Sequence, residues 1–204
     1  AAVDPMTGLL NRRSFHLILE NELSRGERYS LPVTVVMVDI DHFKRFNDTF
    51  GHQFGDLVLV ELAKLLKEGV RSTDVSSRFI TKEAALKHRT AAGNGASGRY
   101  GGEEFILSLE RCPVGQAAMV MERLRTAVET KLAANVLTTG GATIASTAIP
   151  EDFGVTISLG SATYAPGESI LTSILIGRAD AALYHAKESG RNRSIVWDSS
   201  LESH

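Results

Sequence analysis

The sequence contains one cysteine, Cys112. A single thiol excludes an intrachain disulfide and any multi-cysteine metal site, and it fits a reducing compartment. Net charge is nearly absent, at −2. The lack of a basic stripe to follow a phosphodiester backbone argues against a general nucleic-acid binder, although it leaves a small phosphate pocket open. No apolar run is long enough to cross a bilayer. The start, AAVDPMTGLLNRR, lacks the basic-then-apolar order of a secretory leader. These absences predict a cytoplasmic segment with no membrane element. An initiator methionine is also missing, which points to a piece of a longer or processed protein. What remains is an ordinary globular composition: 204 residues, 43% hydrophobic and 23% charged, enough for one sizeable core. One domain is the simplest expectation.

The hydrophobic pattern alternates between helical and strand periods. FHLILENEL places Phe15, Ile18, Leu19 and Leu23 at helical spacing after the cap residue Asn11. The run Val33–Val38 is short, mostly β-branched and apolar, as in a central strand buried on both faces, and it ends abruptly at Asp39 and Asp41. NDTFGHQFGD reads as a polar turn. The segment 56–68 then reads as an amphipathic helix, with Val58, Leu62, Leu65 and Leu66 inward and Glu61, Lys64 and Glu68 outward. FILSL is a strand, and QAAMVMERLRTAVE a helix burying Ala117, Val120, Met121, Leu124 and Val128. VTISLGSAT alternates as a half-buried strand. A last helix carries Leu171, Leu175, Ala179, Ala182, Leu183 and Ala186 inward and stops near Gly190, before a short strand SIVW. Two connections are long: an insertion over 79–98, holding the possible helix KEAALKHR, and a Gly/Thr/Ala-rich stretch over 135–153, with room for a strand at ATIASTAI. This order predicts an α+β domain with a mixed sheet and helices packed on it.

Chemistry concentrates at strand ends. Asp39 emerges from a buried strand, the usual place for a site in an α/β sheet, and Asp41 follows on the same face if the strand persists. Together with Glu103 or Glu104 they would form an all-oxygen, strongly negative cluster suited to Mg²⁺ and its phosphates rather than to zinc. Read blandly, Asp39 or Asp41 caps the following turn and the glutamates are solvated. Gly101 and Gly102 permit a tight positive-φ turn and let backbone N–H groups approach phosphate oxygens. On a regular strand Glu103 and Glu104 point to opposite faces, so spacing alone does not rank them.

Five motifs in order carry a resemblance: DPMTGLLNRR (4–13), DIDHFKRFNDTFGHQFGD (39–56), RYGGEEF (99–105), VTISLG (155–160) and ADAALYHAKESGRNR (179–193). In this order they resemble the GGDEF domain of the diguanylate cyclases, in its GGEEF form, over nearly the whole chain. The resemblance implies a single domain over 1–204 with a nucleotidyl-cyclase or polymerase-palm-like sheet of about five mainly antiparallel strands. It implies Mg²⁺ (or Mn²⁺) held by Asp39, the Ile40 carbonyl, Glu103 and Glu104, with the three acids also catalytic and Glu103 a candidate to help deprotonate the attacking hydroxyl. Asn47 and Asp56 would read the guanine edge, an amide and a carboxylate matching its acceptor and donors. Read without the family, Asn47 is a turn former and Asp56 a helix N-cap. Phe43, Lys44, Gly101, Gly102, Lys187 and Arg191 would line the phosphates.

The implied reaction joins two GTP molecules into cyclic di-GMP across a homodimer, with input from an N-terminal sensor or regulatory region. The alternative is a weak or inactive member serving as a GTP or cyclic di-GMP receptor. An inhibitory product site of the form R-x-x-D matches RSTD at Arg71 and Asp74. The insertion separates it from RYGGEEF. If the insertion loops out between halves of one strand, Arg71 and Asp74 keep their place.

Overall fold

The computed structural model describes residues 2–71, 77–81, 102, 104–140 and 149–202, with residues 71 and 77–81 described by their backbone. Helix α1 (Arg12–Tyr29) starts where the Asn11 side chain accepts the Ser14 N–H, and it leads into strand β1 (Val33–Ile40). Helices α2 (Phe43–Phe50) and α3 (His52–Arg71) follow, separated only by Gly51 at φ +87°. Next come β2 (Ser77–Thr81), β3 (Glu104–Glu110), and α4 (Val114–Ala127), which continues through a π-helical turn at Val128–Leu132 into α5 (Ala133–Thr139). Strand β4 (Ile157–Tyr164), α6 (Thr172–Glu188) and β5 (Ser194–Val196) complete it.

The five strands lie in the order β2-β3-β1-β4-β5, antiparallel except for the β4–β5 pair. Side chains alternate across β1. Val36, Val38 and Ile40 enter one core with α3 and α4, while Val35 and Met37 enter a second core with α1 and α6. Helices on both faces make β4 a fully covered strand rather than the half-buried one its alternation predicts.

Other sequence expectations shift as well. The polar turn over 47–56 is mostly helix: α2 is pinned by Phe46, Phe50, Phe54 and Phe153, whose ring centroids lie 5.0–5.7 Å apart. Glu61 is buried rather than solvated, because Lys64 Nζ at 2.6 Å and Thr139 Oγ1 at 3.2 Å satisfy its carboxylate. Leu171 precedes α6 as its N-cap and is 71% exposed. Phe79–Thr81, the first three residues of the expected insertion, belong to β2, and the rest of 79–98 lies outside the described residues. Residues 135–139 are helical in α5. KEAALKHR and most of ATIASTAI lie outside the described residues.

Small residues let α6 approach the sheet. A Cβ on Gly160 of β4 would sit 2.0 Å from the Leu183 nitrogen and 2.5 Å from the Ala179 carbonyl oxygen, both helix backbone. Gly160→Ala therefore forces α6 away and should destabilise the fold by about 3 kcal/mol or more. A thermal or urea melt checks this, and an unchanged midpoint would contradict the packing.

Candidate functional site

The site builds outward from the C-terminal end of β1. Asp39 pairs in register with Glu104 of β3 on one side and with Ser158 of β4 on the other. Because Ile106 shares the α1–α6 core while Phe105 and Leu107 face the other way, alternation puts Glu104 on the same face as Asp39. Spacing left open which glutamate shares that face. Asp39 is 3% exposed, and Lys187 Nζ near the end of α6 lies 2.7 Å from its Oδ2. A carboxylate this deep requires a cation, and the ammonium supplies one.

Asp41 does something different. Its Oδ1 accepts the Ser158 hydroxyl at 2.6 Å, and its Oδ2 accepts the Thr156 hydroxyl at 2.7 Å and the Asn192 N–H at 2.9 Å. Those acceptor sites are committed to protein donors, so Asp41 ties the segment after α6 to the end of β1. It is not an open metal ligand.

Asn47 lies in the middle of α2 and Asp56 four residues into α3, so neither is the turn former or N-cap of the bland reading. The Asn47 carboxamide leans on Gly55, where a Cβ would fall 1.9 Å from its Oδ1, and that oxygen is buried without a hydrogen-bond partner among the described residues. Here the absence of a side chain at residue 55 has a use: it leaves room for an amide acceptor beside Asp56.

The remaining candidates spread around this core. The Phe43 ring is buried at 2% exposure, so its contribution to a phosphate site is limited to backbone at the start of α2, where Lys44 is exposed. Arg191 follows α6 with φ +62°, its N–H bonded to the Ala186 carbonyl. Ile40 is buried at 1% exposure. Gly102 is described, but Gly101, Glu103 and Asp74 lie outside the described residues, as does the side chain of Arg71 at the end of α3. Among the described residues, no three His, Cys, Asp or Glu side chains form a metal cluster.

A cavity of about 400 Å³ lies between α1 and the start of α6, at Tyr164, which pairs with Val33 at the opposite end of β1 from Asp39. It is separate from the carboxylate site. Burial pushes the Cys112 thiol up to about 11 and leaves no exposed surface. Cys112 should react with a thiol reagent only after unfolding, and rapid labelling of the native domain would contradict this.

The sequence profile of the diguanylate cyclase GGDEF domain matches residues 1–94 and 83–193. The chain belongs to the GGDEF domain family. Its two matched segments overlap at residues 83–94, and together they cover the motifs that carry Asp39, Asn47, Asp56, Glu104 and Lys187. This GGDEF domain is 34% identical to diguanylate cyclase DosC of Escherichia coli K12, over 98% of this chain and 36% of that protein. It thus spans about a third of that relative's length.

Among solved structures, it is similar to the GGDEF domain of DgcB from Caulobacter crescentus in complex with c-di-GMP, with TM-score 0.70, 28% identity, and 99% of this chain and 94% of that chain covered. The active GGEEF domain of a diguanylate cyclase from Vibrio cholerae gives TM-score 0.68 and 28% identity over 93% of this chain and 98% of that one. The mixed α+β sheet flanked by helices matches these structures. Among the described residues, no helix of this GGDEF domain is long and apolar enough to cross a membrane.

Proposed function

We propose that this GGDEF domain condenses two GTP molecules into cyclic di-GMP, releasing two pyrophosphates, as a homodimer. The observation that carries the reading is the buried Asp39 carboxylate, register-paired with Glu104 on one face and held by Lys187. Such a paired acidic site is costly for a fold unless cation chemistry uses it. The donor set fits a hard divalent cation: carboxylate oxygens at a strand end, the adjoining Ile40 backbone, and an ammonium already occupying the cation's electrostatic role. Asp39, Glu104, Ile40 and, by family position, Glu103 would hold Mg²⁺ or Mn²⁺. When bound, that ion polarises phosphate oxygens and offsets charge on the leaving pyrophosphate.

The chain's own residues do the rest. Asn47 and Asp56 bind guanine, Asn47 through a buried amide oxygen that lacks a donor among the described residues. Lys44, Lys187, Arg191 and the glycine turn at Gly101–Gly102 face the triphosphate, with Lys187 exchanging its Asp39 partner for phosphate. Glu103 is placed by its family position to accept a proton from the 3′-hydroxyl of one GTP. That oxygen bonds to the α-phosphorus of the other GTP, the α–β phosphoanhydride bond breaks, and pyrophosphate leaves. Each domain holds one nucleotide, so two domains must face each other. Arg71 and Asp74 remain the proposed inhibitory product site, and an N-terminal regulatory region the proposed source of input.

The rate of cyclic di-GMP formation from GTP and Mg²⁺, followed against protein concentration, tests this. It should rise faster than linearly. Saturable GTP or cyclic di-GMP binding without product would make the domain a receptor instead.

A further inference from the structure

The segment after α6 has three consecutive residues with positive φ: Gly190 at +113°, Arg191 at +62° and Asn192 at +45°. Glycine takes this conformation freely and asparagine more readily than most residues, but arginine does not, so the surroundings must hold the run there. The holding groups come from the helix that crosses beside the segment. Arg125 of α4 donates from Nη1 to Asn192 Oδ1 at 2.9 Å and to Glu129 Oε2 at 2.7 Å. Asn192 Nδ2 in turn donates to Glu129 Oε1 at 2.9 Å.

The three side chains thus close a ring of hydrogen bonds around the Asn192 amide. Glu122 takes the remaining face of the Arg125 guanidinium, 2.6 Å from Nη2. Glu129 lies in the π-helical turn Val128–Leu132, and such wide turns recur where a helix must re-aim a side chain. The Asn192 backbone N–H then reaches Asp41, two residues beyond Asp39. One residue is therefore gripped through its side chain by α4 and the π turn, and through its backbone by the end of β1. Asn192 lies beside Arg191 and five residues past Lys187.

We infer that Arg125, Glu129 and Asn192 are positioning residues that lock the 190–192 segment and so aim Arg191 at the triphosphate. This rests on the GTP reading above. None of the three touches nucleotide in this account. They act through Arg191.

Asn192→Asp tests it in the full chain. The change keeps an acceptor for Arg125 but replaces the Nδ2 donor with a carboxylate oxygen facing Glu129. KM for GTP should rise about tenfold with a smaller change in kcat and an unchanged melting midpoint. Glu129→Gln in the same chain restores a donor and should return KM toward the parent. In an Arg191→Ala background Asn192→Asp should add little, because its route to the nucleotide is already gone.

Amide hydrogen exchange over residues 190–193 reads the clamp without requiring turnover. Protection there should fall in Asn192→Asp and in Arg125→Ala, and recover in the Asn192→Asp/Glu129→Gln chain. Unchanged exchange, no rescue, or full additivity with Arg191→Ala overturns the inference. A parent chain that makes no cyclic di-GMP from GTP instead removes the catalytic reading beneath it, and exchange still decides whether the clamp exists.

Discussion

Asp39→Asn should leave a folded domain that forms cyclic di-GMP slower by on the order of a thousandfold. The substitution keeps shape and removes charge at a side chain that is 3% exposed and pairs in register with Glu104. A neutral amide binds a divalent cation far more weakly than a carboxylate does and cannot balance the Lys187 ammonium. Stability should change little. Lys187 is 28% exposed and can turn to water, and removal of one acid relieves repulsion with Glu104, so a net effect of about 1 kcal/mol is expected. A melting curve alongside the product assay separates the two effects. Full turnover by Asp39→Asn, or by Glu104→Ala, would contradict the metal assignment.

The second large effect concerns the choice of base. A site whose buried polar groups are built for one hydrogen-bonding pattern rejects an analogue lacking it by roughly 10⁴-fold, so GTP should be preferred over ATP on that scale. The Asn47 Oδ1 is buried without a partner among the described residues and sits against Gly55, next to Asp56 in the chain. Guanine offers N1–H and N2–H donors to such acceptors, whereas adenine presents a lone pair at N1. Asn47→Ala combined with Asp56→Ala should therefore lower the GTP preference by about a hundredfold or more. Gly55→Ala should mimic the loss of Asn47, since its Cβ would fall 1.9 Å from the amide oxygen. Competition of GTP and ATP for each variant measures this, and a preserved preference would place the base elsewhere.

Much of this was legible in the chain, for identifiable reasons. The run Val33–Val38 is apolar at every position but Thr34 because β1 is covered on both faces. Asn11 marked the start of α1 because its side chain is a true cap. The misreadings share a cause, which is partners distant in sequence. Asn47, Asp48, Thr49 and Gly51 have poor helix propensity and read as a turn, yet tertiary packing of four phenylalanines, one of them Phe153, makes α2 helical.

Glu61 read as solvated because one of the groups that satisfies its buried carboxylate, the Thr139 hydroxyl, lies far along the chain, although the neutralising Lys64 is only three residues away. Asp41 and Asp39 are two residues apart and alike in type, and only Thr156, Ser158 and Asn192 show that one is structural. Arg125 and Glu129 gave no signal beyond ordinary helix-face charges. Their partner Asn192 lies 67 and 63 residues away.

The most direct test of the catalytic reading is to incubate the concentrated domain with GTP and Mg²⁺, with ATP as the control, and to separate and quantify every nucleotide and pyrophosphate product. The account predicts cyclic di-GMP from GTP alone, with two pyrophosphates for each cyclic product. GTP recovered intact, or a cyclic product formed equally well from ATP, would contradict it.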